Sequence, residues 1–198
     1  MSIVVEHEKR RKEILENALN VFMDEGFENA TFQKIADRCG ITRTTLYTYF
    51  KNKKEIFNYS IKQLMIKAEE DIQNIQANAS MSSVEKITNV LLDILRLLEQ
   101  NRLLLSVVLD YLLHLSKNDV DPEIRVRRRT VRMRHILASM VIEGVKAGEL
   151  KKVSVKTADD FLYSFIESAI FNLVVLKRKT VGELRDTVVF AVKQFARE

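Results

Sequence analysis

The stretch from Thr31 to Lys53, TFQKIADRCGITRTTLYTYFKNK, constrains the fold more than any other part of the chain. Thr31 is a capping residue ahead of a short amphipathic segment that places Ile35 and Ala36 on its inner side. Gly40 suits the left-handed position just past a helix end, Ile41 plugs the gap that follows, and Thr42 caps the next helix. The spacing predicts two short helices meeting at a tight turn, a helix-turn-helix. In the second helix, about Thr42 to Phe50, Leu46 and Phe50 share one face at the i, i+4 spacing. Arg43, Thr44, Thr45, Tyr47, Thr48 and Tyr49 are left for the other faces. No acidic side chain occurs there, and Lys51, Lys53 and Lys54 follow directly. Such a surface offers donors, methyl groups and rings to a base edge and nothing that repels phosphate.

The segment Ile14 to Ile61 resembles the DNA-binding domain of TetR-family transcriptional regulators. The residues that carry the resemblance are Gly26, Thr31, Ile35, Ala36, Gly40, Ile41, Thr42, Leu46, Tyr47, Phe50 and Lys53, in unbroken register. Two positions depart from the family pattern: Cys39, where Ala is usual, and Thr44, where a smaller residue is common and where bulk alters the approach to DNA. The resemblance implies double-stranded DNA with a pseudo-palindromic operator as partner. The residues expected to touch it are Thr31, Lys34, Thr42, Arg43, Thr44, Thr45, Tyr47, Thr48, Tyr49, Lys51 and Lys53.

Composition agrees with an all-α fold, since 198 residues contain one proline and five glycines. A net charge of +5 permits nucleic-acid binding without demonstrating it. A single cysteine excludes an intramolecular disulfide framework, and three scattered histidines lack zinc-ligand spacing, so neither a metal nor another cofactor is expected. Without a signal peptide or a long apolar run, the expected location is the cytoplasm.

Residues 1 to 7 read as a frayed start, followed by a basic run, Lys9 to Lys12, and a first helix ending near Gly26. A three-helix domain, residues 8–54, is expected to pass through a long helix, about 35 Å by the helix rise, into a second domain, residues 55–198. About nine helices are expected in all. Asn52 with Glu55, Ser82 with Glu85 and Thr180 with Glu183 have the form of capping boxes. Lys117 to Asp121 reads as a loop and Asp121-Pro122 as a helix start.

Candidate ligand-binding residues fall in the second half. Asp110 and His114 lie one turn apart and pair locally on the simpler reading. Helix seven carries Arg125, Arg127, Arg128, Arg129, Arg132 and Arg134; four form an outward stripe, whereas Arg127 and Arg134 flank the apolar face, where a cation reaches either a cavity rim or an acidic partner. Met133, Met140, Phe161 and Phe165 are candidate cavity walls, and with Arg127 and Arg134 the cations placed to approach them, a hydrophobic small-molecule effector with an acidic group is expected. The eighth helix is apolar almost all round and needs cover on every side. Ser164, Ser168 and Asn172 would admit the close approach of a symmetry mate, and Val181, Leu184, Val188 and Phe195 of the last helix would complete a homodimer seam.

The leading expectation is a sequence-specific DNA-binding regulator, a repressor released by its effector. An architectural DNA-binding protein without effector and a helical-bundle enzyme are the alternatives. No nucleophile–base pair or phosphate loop supports the enzyme.

Overall fold

The computed structural model describes residues 3–117 and 123–197. Within them run α1 (Ile3–Asn29), α2 (Phe32–Arg38), α3 (Arg43–Tyr49), α4 (Lys53–Ala77), α5 (Ser83–Gln100), α6 (Arg102–Lys117), α7 (Glu123–Lys146), α8 (Val155–Ile170) and α9 (Gly182–Lys193). A π-helical turn, Phe171–Val175, follows α8. Among the described residues the only β feature is an isolated antiparallel bridge between Leu150 and Ala196. The chain is therefore all-α, as the sequence predicts. The expected loop and helix start at Lys117 to Pro122 lie outside the described residues, as do the side chains of His114 and Arg127.

Two compact units divide the chain. One comprises Met1–Lys67 with Ser106–His114, and the other Ala68–Leu105 with Leu115–Glu198. In the first unit, α1 turns helical at Ile3, earlier than the frayed start expected through residue 7. The His7 ring stacks on Tyr49 with centroids 4.6 Å apart, which gives this first stretch a packing partner. Gly26, at φ 75° and ψ 167°, breaks the helix where the sequence places its end. Gly40, at φ 63°, turns the chain out of α2, and Ile41 N–H returns to the Ala36 carbonyl at 3.1 Å. That bond is the longer one of a Schellman motif.

The core of this unit is built from Ile14, Leu15, Ala18 and Phe22 of α1, Ile35 and Ala36 of α2, and Leu46 and Phe50 around α3. Each large side chain so buried contributes roughly 1.5–3 kcal/mol. Packing does not stop at residue 54. Ile56, Phe57 and Ile61 of α4 are buried with them, and the buried Ser60 hydroxyl donates to the Leu15 carbonyl at 3.1 Å. Tyr111 of α6 belongs to the same unit, its ring 4.4 Å from Phe27 and 5.3 Å from Phe57.

The second unit packs Ile87, Leu91 and Leu95 of α5 against Leu137 and Val141 of α7, Leu162 and Ala169 of α8, and Val188 and Val192 of α9. Ser82 and Glu85 form the predicted capping box in both halves. At Asn52 only one half matches, because Glu55 reaches back to the Lys51 N–H. The box expected at Thr180 and Glu183 does not form. There α9 starts from Val181, Thr180 accepts from the Gly182 N–H at 3.1 Å, and Glu183 faces Arg178.

The α9 side of the expected dimer seam also needs correction. Val181 and Val188 are buried in their own unit's core and are not free for an outer seam, whereas Leu184 and Phe195 pack against that core while only half-buried. The apolar rhythm that suggested an interface belongs to intramolecular packing. The large exposed apolar residue of α9 is Phe190. On α8, by contrast, Phe161 and Ser164 are exposed, and so are Phe171 and Val175 in the π turn that continues it. The helical spacing puts these four on one stripe with Ser168.

Candidate nucleic-acid interface

Thr42 starts α3 by accepting the Thr45 N–H at 3.1 Å, and its hydroxyl also pairs with the Thr45 hydroxyl at 2.8 Å. Leu46 is the buried residue of α3 that holds the helix to its core, and Phe50, buried just past the last turn, fixes the exit. Thr42, Arg43, Thr44, Thr45, Tyr47 and Thr48 are therefore all exposed, as expected. Arg43 lies along the helix: Nη2 donates to the Tyr47 hydroxyl at 3.1 Å, and the guanidinium carbon is 5.6 Å from that ring's centroid. Tyr47 leans on Phe32 of α2, centroids 4.5 Å apart, which limits where the pair can swing. Thr48 donates back to the Thr45 carbonyl at 2.7 Å, which engages its hydroxyl proton and leaves its methyl group and oxygen lone pairs unengaged by that bond.

The lysines differ from one another. Lys51 and Lys54 are exposed. The Lys34 ammonium pairs with Glu25, and the Lys53 ammonium donates to the carbonyls of Phe27 and Glu28 at 2.9 Å each. Thr31 accepts the Lys34 N–H at 3.2 Å and so caps α2. Cys39, the first departure from the family pattern, closes α2; its carbonyl accepts from Arg10 at 3.3 Å, and burial pushes its thiol up, away from a reactive thiolate. Thr44, the second departure, is exposed on the outer surface of α3.

Sequence reasoning missed the His7–Tyr49 stack, which takes one face of Tyr49. A ring pair 42 residues apart leaves no periodic signal.

In the second unit, Arg134 pairs with Asp159 at 2.8 Å and with Asp160, and its guanidinium lies over the Tyr163 ring. The acidic-partner reading of Arg134 is thus the one realised. The adjacent Asp159 and Asp160 were the legible signal for it. Asp159 is buried with Oδ1 lacking a hydrogen-bond partner, and burial raises its carboxyl above the usual range against the lowering pull of Arg134. Arg132 pairs with Glu69 at 3.0 Å. Met140 and Phe165 are buried and Met133 packs against the same core, whereas Phe161 is exposed and Asp110, also exposed, lies in the α6 segment of the first unit. Met140 lines a small cleft of about 170 Å³ with Gln76, Met81, Ser83, Lys86, Glu143, Ala147 and Glu149. Among the described residues no group of His, Cys, Asp and Glu could hold a metal, and no helix is long and apolar enough to cross a membrane.

Residues 14–59 match the family model described as bacterial regulatory proteins, tetR family. The chain is 26% identical over 179 residues to the fatty acid metabolism regulator protein of Bacillus subtilis (strain 168), covering 87% of this chain and 88% of the relative. Two solved structures share the fold. A TetR transcription regulator from Haloarcula marismortui superimposes with a TM-score of 0.77 at 18% identity, over 96% of this chain and 97% of its own. A transcriptional regulator FadR from Bacillus subtilis, in complex with stearoyl-CoA, does so with a TM-score of 0.71 at 22% identity, over 94% and 99%.

Proposed function

Because the chain carries a TetR-family DNA-binding domain, we propose that it is a homodimeric transcriptional repressor released from a pseudo-palindromic operator by a long-chain acyl thioester. The observation that carries the effector class is the reach of the similarity to the fatty acid metabolism regulator. It spans 179 residues, 87% of this chain, and so extends well past the DNA-binding domain. The stearoyl-CoA bound to a structural neighbour points the same way.

The DNA half of the mechanism rests on α3. Arg43 is the group suited to a guanine edge, the threonine methyls to thymine, and Lys51 to phosphate. Two copies of α3 read two half-sites, which a two-fold dimer places about one turn of DNA or somewhat more apart. The stripe of Phe161, Ser164, Ser168, Phe171 and Val175 is the face for the second copy. An effector can shift the operator-binding equilibrium only by its differential affinity for the bound and released conformations. The chain acts in the cytoplasm and catalyses no reaction.

The test is operator binding followed by fluorescence anisotropy as stearoyl-CoA is added, with free coenzyme A and a steroid thioester in parallel. Release by stearoyl-CoA alone supports the reading. Release by none of them, or equally by free coenzyme A, contradicts it.

A further inference from the structure

We infer that Lys53 is a positioning residue, which ties the corner between α1 and α2 to the start of α4 and acts on DNA through α3 rather than as a phosphate ligand. The inference rests on the DNA-binding reading above. After the break at Gly26 the chain makes one further turn, and the Phe27 and Glu28 carbonyls at its end both accept from the Lys53 ammonium at 2.9 Å. The same ammonium stands 4.7 Å from the centroid of the Phe27 ring. An ammonium has three N–H donors. Two are taken by backbone carbonyls past the helix break, and the ring beside them adds a cation–π attraction.

The position of this clamp in the chain gives it a consequence for DNA. Thr31, the cap of α2, follows Glu28 by three residues, and Phe50, the buried exit of α3, precedes Lys53 by three. One ammonium therefore links the approach to α2 with the departure from α3. The Phe27 ring is itself packed 5.0 Å from Phe57 one turn along α4, so the clamp sits on a rigid aromatic base. Loss of the clamp frees the two ends of the helix-turn-helix to move relative to each other. The exposed Lys51 and Lys54 remain to neutralise phosphate.

A phosphate ligand and a positioning residue differ in their salt dependence. The experiment measures operator affinity of the full-length parent, Lys53→Met, Lys53→Arg, Phe27→Leu and the Lys53→Met/Phe27→Leu double variant across a series of salt concentrations, at a temperature where circular dichroism shows each one folded. We expect Lys53→Met to bind roughly tenfold more weakly, about the effect of one lost charge-assisted hydrogen bond. Its slope of log affinity against log salt should equal the parent's. Lys53→Arg, which keeps donors and a ring contact, should recover most of the loss. Phe27→Leu removes no charge yet should weaken binding in the same direction, and the double variant should lose less than the sum of the two. A Lys53→Met slope shallower by about 0.9 per subunit, the signature of one released counterion, overturns the inference. If Lys53→Met does not fold, Phe27→Leu at full parental affinity overturns it. A parent that binds no duplex refutes the DNA-binding reading instead.

Discussion

Arg43 donates from Nη2 to the hydroxyl of Tyr47 at 3.1 Å, one turn along the same helix. Both side chains are exposed, so the contact contributes little to stability, but it holds the guanidinium extended along the outer face of α3. Arg43→Ala should leave the melting temperature unchanged while operator affinity falls by about 1–3 kcal/mol per half-site and preference relaxes at one base pair. Tyr47→Phe keeps the ring and loses only the bond, so its effect should be smaller and spread over all positions. Titration of the two variants against single-base operator substitutions at fixed salt checks both outcomes.

A dimer through the outer stripe of α8 separates two substitutions that the sequence alone would rank the other way round. Phe171 is 52% exposed and Val188 fully buried. Phe171→Asp should give a folded monomer, whereas Val188→Asp, with a charge inside the unit's own core, should not fold to the parent's stability at all, a loss of several kcal/mol. Light scattering and circular dichroism at micromolar concentration read the two together. A dimeric Phe171→Asp with unchanged stability removes the stripe as the interface.

Arg134 serves structure before ligand. It pairs with Asp159, which is buried, and with Asp160. Arg134→Leu strands the Asp159 carboxylate and should cost roughly 2–3 kcal/mol, somewhat under the figure for a fully buried pair. Adding Asp159→Asn to that variant should return much of it. Chemical denaturation of the four proteins of this cycle gives the coupling directly, and an Arg134→Leu variant as stable as the parent contradicts it.

The acid limb of the stability curve has two opposing sources. Bonds from the Ser82 backbone and hydroxyl hold Glu85 below the usual carboxylate range, and bonds from Ser83 do the same for Glu149. A depressed acid contributes stability that is present above its unfolded pKa, about 4.3, and is lost as pH falls through its lower folded value. Asp159 is raised by burial, so its charged form destabilises above the folded value, and protonation between that value and the unfolded one, about 3.9, relieves the cost. Glu85→Gln with Glu149→Gln should therefore flatten the fall of melting temperature below about pH 4.5, whereas Asp159→Asn should steepen it. Thermal melts from pH 3 to 7 test the two signs independently.

The DNA-binding half was legible because its information is local. Thr31, Gly40 and Thr42 declare caps and a turn within a dozen residues, and Leu46 with Phe50 orients α3. The second unit was legible as helices and less so as faces. The repeat of Val181, Leu184 and Val188 marks a buried stripe, but periodicity cannot say whether a helix is buried by its own unit or by a partner. Residue type alone likewise placed Lys53 only among the DNA contacts, because the carbonyls that accept from its ammonium lie 25 and 26 residues earlier and leave no periodic signal.

The measurement closest to the central claim is selection of duplexes from a random pool by the purified full-length protein, repeated with Arg43→Ala. The account predicts enrichment of two inverted half-sites about one helical turn or somewhat more apart, with Arg43→Ala losing preference at one symmetric pair of positions. A pool that emerges unenriched, or an identical enriched sequence from both proteins, would contradict it.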